Sequence, residues 1–348
     1  MIKSRWYILP VLLIIFVIFI GIFLWGTNRP DDVSSQEKNS DYYKGNAAYN
    51  KKIKIGVSVM NYVNEYWQDL IDGVKAYSKD AGYEVIPIQA NDSANDQAKS
   101  LNDFIDQGVD GIIVAPINET VLEPVVKRAM DKGIKVIAHI HDLNNFNVQY
   151  GPKEYEMGFI AGRYMGKLLK DAGVDVPLLA MLNYPDLATL IDREKGLEDG
   201  LREFVPETII IDKRPGYKAD MGKAAAEAIL RKYPKINGFV GINDNGLLGA
   251  LEASKELGLN NRKDFFIVGI GGDTPALEAI KEGSPFKATV NLDPWLNGYN
   301  EAKYMKEMIG GKKYINKVIY FSPLSIIDSF NVDSVLTEKE RRRKLNGK

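Results

Sequence analysis

Residues 54–73 read KIGVSVMNYVNEYWQDLIDG and hold a buried strand, a polar loop, two adjacent aromatics and a helix start. Ile53, Ile55, Val57 and Val59 are β-branched and crowd a short apolar run, and Asn61, Asn64 and Glu65 end it, as when a strand leaves a sheet. Trp67, Leu70, Ile71, Val74 and Tyr77 then recur at helical spacing, which predicts a helix from near Glu65. In open α/β sheets small ligands bind beyond the carboxyl ends of the strands, where this loop lies. Asn64, Tyr66 and Trp67 are therefore candidate contacts for a small molecule with one apolar face and hydroxyl edges. The same two aromatics would also serve as plain core capping the sheet, because rings mainly supply buried area, and the pattern leaves both roles open.

The chain has 348 residues, and setting the N-terminal segment aside leaves about 300, enough for two domains of roughly 100–200 residues. With 45 basic and 46 acidic residues the formal net charge is −1, so no large basic field is present to hold a phosphate backbone, and nucleic acid is not an expected partner. The absence of cysteine excludes a disulfide framework, cysteine-rich zinc sites and thiol catalysis.

Residues 7–25 are almost wholly apolar, with Lys3 and Arg5 before them and Arg29, Asp31 and Asp32 after. About 19 residues at 1.5 Å each give roughly 28 Å, enough to span a bilayer core. The basic flank places the N-terminus in the cytoplasm, and the run is too long, and its end too bulky, for a cleaved signal peptide. The expectation is an uncleaved single-pass anchor at 1–26, then a polar stalk at 27–51 that cannot bury enough surface to order itself, with the remainder outside the cytoplasm.

From Ile53 strands and amphipathic helices alternate. Strand-like runs fall at 83–89, 110–116, 135–140, 176–183, 208–214, 238–243 and 265–271, and their continuous Val/Ile character marks parallel strands covered on both faces. Helical patterns occupy the stretch after Thr120, where Thr120 and Glu123 make a capping box, and 187–204, 219–233, 246–257 and 295–308. So many strands suit two doubly wound parallel-sheet lobes better than one large sheet.

Asn243 and Asp244 top a strand, and could bond hydroxyls or cap the following helix. Residues 268–274, VGIGGDT, lack the full dinucleotide spacing, so their glycines read as a tight turn or as a close backbone approach to a ligand. His139 and His141, the only histidines, stand two apart on a strand and should share a face, yet nothing completes a metal site around them. His141 is a candidate cleft residue. No GxSxG elbow is present, no cofactor is implied, and 334–348, ending KERRRKLNGK, reads as a solvated basic tail.

Taken in order, the strand–aromatic-loop–helix unit, QANDSANDQAKSLNDFIDQGVDGIIVAPIN (89–118), DREKGLEDGL (192–201), GFVGINDNGLLGAL (238–251) and IVGIGGDTPALEAI (267–280) resemble the type I periplasmic sugar-binding proteins, the ribose- and xylose-binding receptors above all. The resemblance covers roughly 52–332. It implies two hinged lobes, 52–152 plus 293–321 and 153–292 plus 322–333, that clamp a sugar by closing. It also implies that Asn64 bonds a hydroxyl, that Tyr66 and Trp67 stack on the ring, and that Arg193, Tyr217 and Asn243 complete the site from the second lobe. Where such receptors carry Asp-Arg, this chain has Ile140-His141 followed by Asp142, and where they carry a second aspartate it has VGIG, with Asp273 two residues on. Asp142 or Asp273 would have to supply the bidentate acceptor of sugar hydroxyls. The glutamine near the hinge is replaced by Leu292, beside Asn291. The resulting expectation is a membrane-anchored, extracytoplasmic binding protein without chemistry of its own, presenting a monosaccharide or polyol to a membrane sensor kinase or, alternatively, to an ABC permease. A hydrolase or nucleotide enzyme on the same architecture is the rival from another class.

Overall fold

The computed structural model describes residues 52–347 apart from 186, 188, 189, 322, 323 and 346. The expected anchor (1–26) and stalk (27–51) lie outside the described residues, and a compact unit begins at Lys52. Among the described residues no helix is long and apolar enough to cross a membrane.

In chain order the first half holds β1 (Lys54–Val59), α1 (Glu65–Ala81), β2 (Glu84–Gln89), α2 (Ala94–Asp106), β3 (Gly111–Val114), α3 (Glu119–Asp131), β4 (Lys135–His139) and β5 (Val148–Gly151). There follow α4 (Glu154–Asp171), β6 (Leu178–Asn183), α5 (Leu190–Phe204), β7 (Ile209–Pro215), α6 (Ala219–Lys232), β8 (Gly238–Gly241), α7 (Asp244–Glu256), β9 (Phe266–Gly271), α8 (Thr274–Lys281) and β10 (Phe286–Asn291). Last come α9 (Pro294–Ile309), β11 (Lys317–Tyr320), β12 (Ser325–Ile327) and α10 (Val332–Leu345).

Two six-stranded sheets result, in the orders β11-β5-β4-β3-β1-β2 and β12-β10-β9-β8-β6-β7. Their ladders are parallel except for β10 with β12. Helices cover the strands, so Ile55, Val57 and Val59 of β1 are fully buried, as the unbroken apolar runs require. The chain passes from one sheet's lobe to the other at 152–153, at 292–293 and between β11 and β12, and these crossings put the C-terminal ends of both sheets around one cleft.

Several expectations are corrected. The strand expected over 135–140 stops at His139, because Ile140 takes a left-handed backbone with φ 63° and His141 N–H donates to His139 O at 2.7 Å. That conformation is costly for a β-branched residue, and it turns the two histidines into different surroundings instead of onto one strand face. Helix α3 begins two residues earlier than the Thr120 box implies, capped by Asn118, whose Oδ1 accepts from Val121 N–H at 3.1 Å. The C-terminal segment is not a solvated tail: residues 332–345 are helical, with Val332 buried and Val335 and Leu336 packed on the second lobe. That i, i+3, i+4 apolar seam precedes the charge run that masked it.

Candidate functional site

The loop after β1 and the first turn of α1 face the ends of β6, β8 and β9 across a cavity of about 100 Å³. One water needs roughly 10–15 Å³ measured this way, so the space suits a molecule of about 7–10 non-hydrogen atoms. Its lining includes the eight residues expected to contact a ligand: Asn64, Tyr66, Trp67 and His141 from one lobe and Arg193, Tyr217, Asn243 and Asp273 from the other.

Asn64 caps α1, accepting from Tyr66 N–H at 2.9 Å. That cap turns Tyr66 and Trp67 inward, where their rings meet edge to face with centroids 4.8 Å apart. Both are nearly buried, at 6% and 7% exposure. The Tyr66 hydroxyl lies 2.9 Å from His139 Nε2, and His139 Nδ1 lies 2.5 Å from Glu301 Oε1 on α9. With Nδ1–H turned to the carboxylate, Nε2 accepts from the tyrosine, so a fully buried Glu–His–Tyr chain fixes the aromatic wall. The core reading of these rings does not exclude the other: Tyr66 commits its hydroxyl to the protein, and both rings border the cavity.

Arg193 stands on α5 because that helix and α4 approach backbone to backbone: a Cβ at Gly158 would come within 1.9 Å of Arg193 O. Its Nε donates to Glu154 Oε2 and its Nη1 to Ile242 O, both at 2.6 Å. Asn243 is equally engaged, with Nδ2 donating to Tyr217 O and Oδ1 accepting from Gly246 N–H, each at 3.0 Å. The capping role of Asn243 is therefore observed directly. Tyr217 stacks on Tyr184 at 3.8 Å and 7°, a partner that sequence spacing could not disclose. Across the cavity mouth Lys218 pairs with Asp92 at 2.6 Å, one residue from each lobe.

Of the two carboxylates in question, Asp273 lines the cavity and Asp142 does not, being exposed and accepting from Gln149 Nε2 at 2.6 Å. Behind Asp273 sits the fully buried Asp244, which accepts from Gly272 N–H at 2.7 Å, Asp273 N–H at 3.1 Å and the Thr289 hydroxyl at 2.7 Å. A Cβ on Gly269 would lie 2.1 Å from Asp244 Oδ1, so the glycines of 268–272 make room for this carboxylate and not for a dinucleotide. Burial, with Asp244 beside it, pushes the Asp273 carboxyl well above the ordinary range. Among the described residues no cluster of three or more His, Asp and Glu could hold a metal ion.

Burial, reinforced by Arg193 and His139, pushes the His141 imidazole from its ordinary 6.5 down to about 3. The ring is neutral in the folded protein, so only the unfolded chain takes up a proton between those values and the stability due to His141 falls as pH drops below 6.5. The stability difference between wild type and His141→Gln, read by urea unfolding, should therefore shrink by about 2 kcal/mol from pH 7 to pH 5. A difference independent of pH would contradict a buried neutral ring.

With this geometry in hand, comparison with known proteins is informative. The family model described as periplasmic binding protein domain matches residues 55–313. A xylitol-binding protein of Mycolicibacterium smegmatis is 29% identical over 311 residues, 85% of this chain and 84% of the relative. The ribose import binding protein of Bacillus subtilis is 24% identical over 77% of this chain and 85% of its own length. Among solved structures, the periplasmic binding component of the arabinose ABC transporter from Shewanella sp. ANA-3, bound to L-arabinofuranose, superposes with a TM-score of 0.74 at 25% identity, over 84% of this chain and 97% of that one. Two parallel-sheet lobes around a polar and aromatic cavity, and a family model matching most of the described chain, lead to one conclusion: this chain belongs to the periplasmic binding protein domain family.

Proposed function

We propose that the protein captures a monosaccharide or similar polyol between its two lobes and hands its presence to a membrane partner, with no turnover. The observation that carries this is the lining of the interlobe cavity: Trp67 and Tyr217 as apolar faces, with Asn64, His141, Arg193 and Asp273 around the edge. Such a mixture of flat rings and convergent polar groups fits a hydroxylated ring better than a charged or fully apolar ligand. Asp273, whose carboxyl burial and Asp244 push toward its protonated form, can both donate to and accept from a hydroxyl, and Asn64, whose cap uses only its oxygen, offers its amide N–H. The names of the relatives, ribose, xylitol and arabinose among them, support the same ligand class.

The apolar segment at 7–25 supports a single-pass anchor that holds the lobes outside the cytoplasm. Closure would change the surface shown to a membrane neighbour. An ABC permease is the partner that the relatives' import and transporter names support, and a membrane sensor kinase is the one that a fixed anchor suits. A thermal-shift screen against pentoses, hexoses and polyols tests the capture reading. A true ligand at 100 times its dissociation constant should add about 2.7 kcal/mol of stability. A flat response across all three classes would refute it.

A further inference from the structure

Helix α10 reaches from the second lobe, where Val332 is buried and Lys281 pairs with Asp333 at 2.7 Å, across the crossing at 292–293 to the first. Lys339 Nζ lies 2.7 Å from Asp69 Oδ2 and 3.0 Å from Glu65 Oε1 on α1, and donates to Gly272 O at 3.2 Å in the loop that carries Asp273. Its side chain is only 13% exposed, and its carboxylate partners 14% and 21%, so solvent screens this cluster far less than a surface pair. Arg343 bonds Glu65 at 2.8 Å and the Thr274 hydroxyl at 2.9 Å, and Glu65 itself accepts from Thr274 N–H at 2.9 Å. Arg342 holds Asp293 at 2.5 Å and lies over the Trp295 ring at 4.8 Å. Asp293 is the crossing residue itself, in a left-handed backbone with φ 43°.

Lys339 and Arg343 each tie α1 of the first lobe to the Gly272–Thr274 loop of the second, and Arg342 ties α10 to Asp293, beside the segment about which the lobes would turn. We propose that α10 is a strap across the hinge and that Lys339 is its positioning residue, bridging Glu65 and Asp69 to the Gly272 loop so that the lobes stay in the arrangement competent for capture. The word competent rests on the cleft being the ligand site; the strap itself does not. Burial alone would raise the Glu65 carboxyl, but Lys339 and Thr274 together outweigh it and hold it below its ordinary range, whereas at Asp69 burial outweighs Lys339 and the carboxyl is raised.

Because the chain has no cysteine, a spin-label pair can be introduced without background. Asn95→Cys and Asp220→Cys place labels on exposed positions of opposite lobes, close to the Asp92–Lys218 bridge. Pulsed electron–electron distance measurement on the full-length protein, with no sugar added, should give a short interlobe distance for wild type and for Lys339→Arg. Lys339→Met/Arg343→Met should lose that short-distance population in favour of longer ones. Glu65→Gln/Asp69→Asn, which cuts the strap from the other lobe, should do the same. A wild-type distribution in both double variants, or a loss that Lys339→Arg shares, would overturn the proposal. Because no ligand is used, this outcome is independent of whether the cleft binds a sugar.

Discussion

Glu301→Ala should cost about 3–5 kcal/mol of stability, because truncating one partner of a buried pair leaves the other without compensation. Glu301 and His139 are both fully buried and face each other at 2.5 Å. The cost propagates to the cleft, since His139 holds the Tyr66 hydroxyl and Tyr66 packs on Trp67. Glu301→Gln, which keeps the volume and one hydrogen-bonding oxygen, should lose less than half as much. Urea unfolding followed by circular dichroism reads both, and equal, small losses would show that the chain from Glu301 to Tyr66 carries little energy.

Trp67→Ala should have two effects at once. The ring is 7% exposed and belongs to the main hydrophobic core, so its loss should cost about 3–5 kcal/mol. It also forms a wall of the interlobe cavity, so stabilisation by any sugar found in the thermal-shift screen should disappear. Trp67→Phe separates the two, since it should recover most of the stability and only part of the ligand response. Retention of the full ligand response in Trp67→Ala would mean that the ring serves the core alone.

The stretch at 54–73 was legible because each of its features is local: a short β-branched run buried on both faces in β1, an Asx cap at Asn64 and a 3.6-residue apolar stripe in α1. The same holds for Asn243, whose capping role follows from its place before a helix. Residues whose role depends on remote partners were not legible. Glu301 lies 162 positions from His139, and Lys339 lies 270 from Asp69. Nothing in NEAKY or KERRRK announces those partners. The short strands β5, β10, β11 and β12 were missed because three or four of their residues, or an apolar run broken by Lys287 and Thr289, give no clear period. The paired histidines failed for a different reason: a strained Ile140, held where a Cβ on Gly151 would lie 2.9 Å from Ile140 Cα, breaks the strand between them.

Calorimetric titration of the sugar or polyol that gives the largest thermal shift, into wild type and Asp273→Ala side by side, addresses capture in the interlobe cavity most directly. Asp273 is 5% exposed, lines the cavity and belongs to neither a helix cap bond nor the core. Wild type should bind one ligand per chain, and Asp273→Ala should bind it at least about tenfold more weakly, because a hydroxyl would then be buried without its hydrogen-bond partner at a cost of about 1–3 kcal/mol. Equal affinity in the two proteins, or saturation at more than one ligand per chain, would contradict a single site between the lobes.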